Sequence, residues 1–235
     1  MKTNPLVLHH LSQPPRTPQP SGERPPMLLF LHGVGSNETD LFGLAQTMDP
    51  RFHVLSLRAP HTVGPDSFAW FEVELSPEAP RINPWQAEAS RQMLMRFLEQ
   101  APRYYRTDPQ RLYLFGFSLG AIMSLALILT QPDILAGAVA IGGRTFPELF
   151  EEAPPLGGHL APHERLKGIP LLVIHGLRDE VLPIHYGRST HERFSSLPVR
   201  LTYAEHDMPH MVSGASLREA ASWLGARLAE PRCGE

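Results

Sequence analysis

Short apolar runs bounded by turn residues recur along the chain at 27–31, 54–57, 112–115, 136–141, 171–174 and 199–203. They lack the polar–apolar alternation of a half-exposed strand, so each reads as a strand buried on both faces, as in a parallel sheet. Between them lie patterns of helical period at about 38–48, 85–100, 119–130, 184–195 and 216–228. Asn37 stands as N-cap of the first, with Asp40 three residues later near the positive end of the helix dipole. A further run at 6–11 is expected to form an edge strand, joined to the core through the proline-rich stretch 12–26. Strands alternating with helices predict a single α/β domain over 1–235, built on a doubly wound, mostly parallel sheet flanked by helices. Such sheets bind ligands at the carboxyl ends of their strands, which is where chemistry is to be sought.

Four strand ends carry unusual residues. In "LYLFGFSLGAIMSLAL", residues 112–127, a strand passes through Gly116-Phe117-Ser118-Leu119-Gly120 straight into an apolar helix. A sharp strand-to-helix turn lifts the Ser118 hydroxyl clear of the sheet, and the helix start offers N–H groups to an oxyanion. The plainer reading is a glycine-rich turn with an incidental serine. At 28–43 a second strand ends in His32-Gly33-Val34-Gly35, where the Val34 N–H and the Leu119 N–H would form a two-donor hole. Seen alone, that segment is equally an ordinary βα turn. His32 reads as a structural histidine bonded to loop backbone.

The third strand ends in His175-Gly176, and Asp179 follows as a carboxylate able to orient an imidazole, with Glu180 and a helix-capping role for Asp179 as competing readings. The fourth end, "YAEHDMPHMVSG", offers two histidines, His206 and His210, of which His210 stands closer to the following helix. Their i, i+4 spacing would suit a metal on a helix, but Pro209 argues against a helix and no third ligand has suitable spacing, so no metal is expected.

Composition narrows the class. The 235 residues are 42% hydrophobic, enough for one sizeable core. A net charge of −3 gives no footprint for nucleic acid. The single cysteine, Cys233, excludes an internal disulfide framework. No apolar stretch approaches the ~18 residues of a membrane span, and the N-terminus is too polar for a signal peptide, so a cytoplasmic location is expected. The basic residues are 19 Arg against 2 Lys, which changes nothing in the functional reading.

Taken together, LHGVGSNETDL, GFSLGAIMSLAL, HGLRDEVLP and MPH, in the order Ser, Asp, His, resemble the α/β-hydrolase superfamily. The resemblance is closest to its phospholipase/carboxylesterase group, which includes acyl-protein thioesterases and bacterial carboxylesterases, and it spans about 27–228. It implies Ser118 as nucleophile, Asp179 as orienting acid, His210 as base, and Val34 and Leu119 as oxyanion donors. It further implies a fold without a separate cap domain and a small-molecule ester as substrate, with no cofactor. Trp70 and Phe71, in the segment resembling the family's groove wall, together with Phe146, Leu182 and Met208, are expected to line an apolar acyl pocket. Each of the five is as well explained by core packing.

Two positions depart from the family pattern. Leu119 stands where many relatives carry Gln, and Pro209 stands where Gly often precedes the histidine. The long loop 144–165 is expected to act as a partial lid. The expected reaction is hydrolysis of short to medium carboxylic esters, with thioesters or lysophospholipids as alternatives. A reading from another class is a non-catalytic binding protein on the same scaffold. One sequence leaves the oligomeric state open, a homodimer included.

Overall fold

The computed structural model describes residues 6–19, 22–74, 81–145 and 160–230. The strands among them are β1 (His10–Gln13), β2 (Met27–Leu31), β3 (His53–Leu57), β4 (His61–Gly64), β5 (Ser67–Ala69) and β6 (Val73–Glu74). They continue as β7 (Arg81–Ile82), β8 (Leu112–Phe117), β9 (Gly137–Ile141), β10 (Pro170–Gly176) and β11 (Arg200–His206). The α-helices are α1 (Pro84–Tyr105), α2 (Leu119–Thr130), α3 (Ile184–Ser195) and α4 (Gly214–Leu228).

Seven strands form one sheet in the order β1-β3-β2-β8-β9-β10-β11. Only β1 runs antiparallel to its neighbour; the other pairs are parallel. The period-2 geometry of a strand then divides each apolar run between two cores. Met27, Leu29 and Leu31 of β2 face the layer holding α1, α2 and Phe194 of α3. Leu28 and Phe30 face the opposite layer, which holds α4 and a 3-10 turn at Phe42–Thr47. All twelve residues of α2 are buried, as expected of the helix that follows the central strand.

Two local expectations fail for identifiable reasons. The pattern at 38–48 predicts an α-helix, yet only the 3-10 turn forms there. The Asn37 side chain does not cap a helix; its Oδ1 accepts from the Thr39 N–H at 2.9 Å and closes a tight turn. Glu38, at 4% exposure, is held by the part-exposed Arg58 guanidinium through contacts of 2.5 and 2.6 Å, and this bidentate pair wins over helical propensity. At the N-terminus an edge strand is expected over 6–11, but Leu6 and Leu8 are buried in the core and the edge strand forms later, at His10–Gln13. Ser12 and Gln13 thus belong to the strand, where Ser12 Oγ meets His53 Nε2 at 2.8 Å.

The short strands β4–β7 are not among the expected elements, and β11, read as buried on both faces, is half-exposed because it closes the edge of the sheet. The remaining differences lie at element ends. The helix expected over 85–100 extends through Pro102 to Tyr105, opened by Pro84 at its first turn and by the Asn83 side chain accepting from the Gln86 N–H.

Candidate active site

Strand β8 and helix α2 meet at Ser118 with no intervening loop, and the backbone takes the turn in one residue. Ser118 adopts φ 53 and ψ −118, a conformation that L-residues rarely hold. Both flanking glycines are obligatory on packing grounds. A Cβ at Gly120 would stand 1.9 Å from the Leu31 carbonyl oxygen of β2, and one at Gly116 would stand 2.3 Å from the Gly120 oxygen. The Ser118 N–H donates to the Ile141 oxygen of β9 at 3.0 Å, which ties the corner to the strand on its other side. The pattern Gly-x-Ser-x-Gly is therefore the sequence trace of a helix pressed against its own sheet.

Asp179 lies just past β10. Its Oδ1 accepts from the N–H groups of Val181 and Leu182 at 3.0 and 2.7 Å, and its Oδ2 accepts from His210 Nδ1 at 2.7 Å. Burial acts to raise the Asp179 pKa, but the hydrogen bonds from His210 and Leu182 outweigh it and hold the carboxyl below its usual range. Glu180, the competing acid, is exposed. The other ring nitrogen of His210, Nε2, lies 2.9 Å from Ser118 Oγ. With Nδ1–H committed to a carboxylate, Nε2 presents its lone pair to the hydroxyl. His206 turns elsewhere and meets Glu219 at 2.6 Å.

The loop carrying His210 is laced to the end of β10. Leu177 N–H donates to His206 oxygen at 2.8 Å, Arg178 N–H donates to Met208 oxygen at 3.2 Å, and a Cβ at Gly176 would meet Met208 oxygen at 2.4 Å. Pro209 has no N–H to contribute, and none is required of it in this lacing.

The loop after β2 comes equally close. A Cβ on Gly33 would sit 3.1 Å from Ser118 Cβ. The Ala59 N–H donates to His32 Nε2 at 3.0 Å, so the ring proton is on Nδ1, which donates to Gly33 oxygen at 2.7 Å. Burial lowers the His32 pKa and keeps the ring neutral, as this arrangement requires. The peptide is trans, so the Val34 N–H points away from the His32 ring. The β4–β5 hairpin braces the same loop through Gly35 N–H to Phe68 oxygen and Phe68 N–H to Ser36 oxygen, both 2.9 Å.

His175 has a parallel place. Fully buried, it donates from Nε2 to Leu182 oxygen at 2.7 Å, pinning the segment whose N–H groups hold Asp179. Helix α3 presses on its ring through Gly187, where a Cβ would come within 2.5 Å. Burial pushes the His175 pKa down as well.

Not every residue expected at the site reaches it. Trp70 and Phe71 are fully buried in the core, closed to any ligand. Trp70 instead donates its indole N–H to His32 oxygen at 3.0 Å and props the Gly33 loop from beneath. Met208 is 3% exposed and Leu182 8%, and Leu182 serves through its backbone. Phe146 and most of the loop 144–165 lie outside the described residues.

The sequence reading missed Phe117 and Gly142. The Phe117 ring sits 5.0 Å from the His210 ring, and Gly142, at φ +59, leaves room for that imidazole 3.4 Å from where a Cβ would be. The signal for Phe117 was its place beside Ser118 in the motif; Gly142 follows β9, a strand end with no polar residue to draw attention.

The sequence model of the phospholipase/carboxylesterase family matches residues 14–227. Among solved structures, the carboxylesterase of Bacillus cereus is 22% identical, covers 94% of this chain and 95% of its own, and superposes with a TM-score of 0.76. Esterase PE8 is 26% identical, with 93% and 98% covered and a TM-score of 0.74. Acyl-protein thioesterase 2 of Zea mays is 21% identical, with 94% and 99% covered and a TM-score of 0.69. Among the described residues no helix is long and apolar enough to cross a membrane.

Proposed function

Because the chain belongs to the phospholipase/carboxylesterase family, we propose that it hydrolyses carboxylic esters of short to medium acyl chains through an acyl-enzyme on Ser118. The observation that carries this reading is the unbroken line of short contacts from Asp179 Oδ2 through His210 to Ser118 Oγ, at 2.7 and 2.9 Å, ending on a strained corner. His210 Nε2 takes the hydroxyl proton as Ser118 Oγ bonds to the ester carbonyl carbon. Negative charge then builds on the carbonyl oxygen, and the N–H groups of Val34 and Leu119 receive it. Asp179 stays ionised and stabilises the imidazolium. His210 returns its proton to the departing alcohol, and a water repeats the sequence to release the acid.

Val34, Val181 and Met211 are exposed apolar residues, the last two standing within two positions of Asp179 and His210 in the chain, and an acyl chain would find apolar surface in them. The test is covalent labelling with a fluorophosphonate probe, with the modified peptide mapped. Stoichiometric labelling at Ser118 is expected, together with at least a ~1000-fold loss of kcat in Ser118→Ala. His210→Ala should fall comparably, whereas His206→Ala should stay within a few-fold of wild type. An unlabelled protein, or near-normal ester turnover by Ser118→Ala, rejects the reading. Rates on p-nitrophenyl esters of rising chain length, set against acyl thioesters, separate esterase from thioesterase.

A further inference from the structure

At the end of the sheet opposite Ser118, the starts of β8, β9, β10 and β11 enclose a cleft of about 470 Å³. With strands of five to seven residues, it lies roughly 20 Å from the candidate active site. Parallel sheets bind their usual ligands at the other end, so nothing in the proposed ester chemistry accounts for it.

Its walls are strongly cationic. Arg111, Arg165, Lys167, Arg200 and Arg227 face two carboxylates, Asp133 and Glu230, an excess of three positive charges. The whole chain carries −3, so the cleft stands against the sign of the molecule.

The pairing leaves that excess in place. Arg165 is taken up by Asp133. Glu230 is shared, accepting from Arg200 at 2.5 Å and from Arg227 at 2.9 Å. Arg111 donates to the Leu228 carbonyl oxygen at 2.6 Å, which is a dipole and not a charge. Among the described residues, no carboxylate stands within ion-pair distance of Arg111 or Lys167, and the Nε of Arg227 is buried without a hydrogen-bond partner. The floor, by contrast, is apolar: Leu135 and Ile169 are 7% exposed, and Pro132 is buried beside them.

We propose that this cleft binds a small organic anion, with a phosphate or carboxylate head held by Arg111, Lys167 and Arg200 and an apolar body against Leu135 and Ile169. Guanidinium groups suit either head because their donors match two oxygens at once. The volume lies within the range of small-molecule sites.

The test is isothermal titration of the intact protein at low salt with phenyl phosphate, benzoate and, as the uncharged control, benzyl alcohol. At least one anion should bind with a Kd of about 1 mM or tighter, and benzyl alcohol at least tenfold more weakly. The tighter anion identifies the head. Lys167→Glu and Arg200→Glu should each weaken it at least tenfold, whereas Ser118→Ala should leave it unchanged. Lys167 is exposed and without an ion-pair partner among the described residues, so its variant stays folded even if Arg200→Glu does not. The proposal is overturned if neither anion binds, if benzyl alcohol binds equally well, if Lys167→Glu binds as tightly as wild type, or if Ser118→Ala abolishes binding. Its fate is independent of fluorophosphonate labelling at Ser118.

Discussion

At the scale of single residues, Ser118 holds a backbone conformation that costs on the order of 1–3 kcal/mol for a residue with a Cβ. Glycine adopts it freely, at an unfolded-state entropy cost of about 0.5–1 kcal/mol. Ser118→Gly is therefore expected to abolish ester hydrolysis while stabilising the fold by about 1 kcal/mol in denaturant unfolding; an unchanged or lowered stability would show that the corner is relaxed. His32 is a positioning residue in the same argument. His32→Phe removes the donor to Gly33 oxygen, so the Val34 N–H loses its fixed aim. The expected signature is a kcat lowered about 10- to 100-fold with KM little changed, and a parallel loss of affinity for a boronic acid analogue of the transition state. His32→Asn, which keeps a donor near Nδ1, should recover part of it. That Ser118, Asp179 and His210 would come together was legible in the sequence because each follows the end of a parallel strand. What was not legible is which side of each loop its backbone would show: the fully buried Trp70 reads, as a string, like any aromatic on a groove wall.

At the scale of elements, apolar runs identified the central parallel strands to within one or two residues at each end and α2 in full, since burial on both faces leaves no room for another pattern. The run at 199–203 marked β11, but as an edge strand it is half-exposed and not buried on both faces. The failure at 38–48 was of another kind. Propensity and a plausible cap favoured a helix, and the pairing of the buried Glu38 carboxylate with the Arg58 guanidinium decided otherwise, a contact twenty residues apart that no local window contains. Contacts between elements also carry a prediction. Gly187 of α3 lets the helix rest on the His175 ring, and that ring pins Leu182, whose N–H holds Asp179. Gly187→Ala improves helix propensity by about 1 kcal/mol but inserts a Cβ 2.5 Å from the ring. We expect it to lower kcat at least tenfold and to lower the melting temperature. A more stable, fully active variant would mean that α3 can shift without disturbing Asp179.

For the molecule as a whole, acid is the condition that tests its buried imidazoles together. Burial lowers the pKa of His32, His53 and His175, that of His53 to about 4. The unfolded chain takes up protons near pH 6.5 that the folded chain refuses, so stability is complete above 6.5 and declines as pH falls, the His53 contribution being exhausted near pH 4. Urea unfolding at pH 7.5, 5.5 and 4.5 should show this decline, and His53→Leu should make it shallower, leaving the share of His32 and His175; a flat profile in wild type would mean that these rings are solvated. The α/β architecture itself was legible, because alternating strands and helices admit few topologies. The antiparallel edge strand was displaced because Leu6 and Leu8 reach the core without belonging to the sheet. A Cβ at Gly120 would stand 1.9 Å from the Leu31 carbonyl oxygen, so helix α2 and strand β2 touch backbone to backbone at this point. That contact fastens the Ser118 corner to the strand that leads into the Gly33 loop, so a shift of backbone at either one displaces the other.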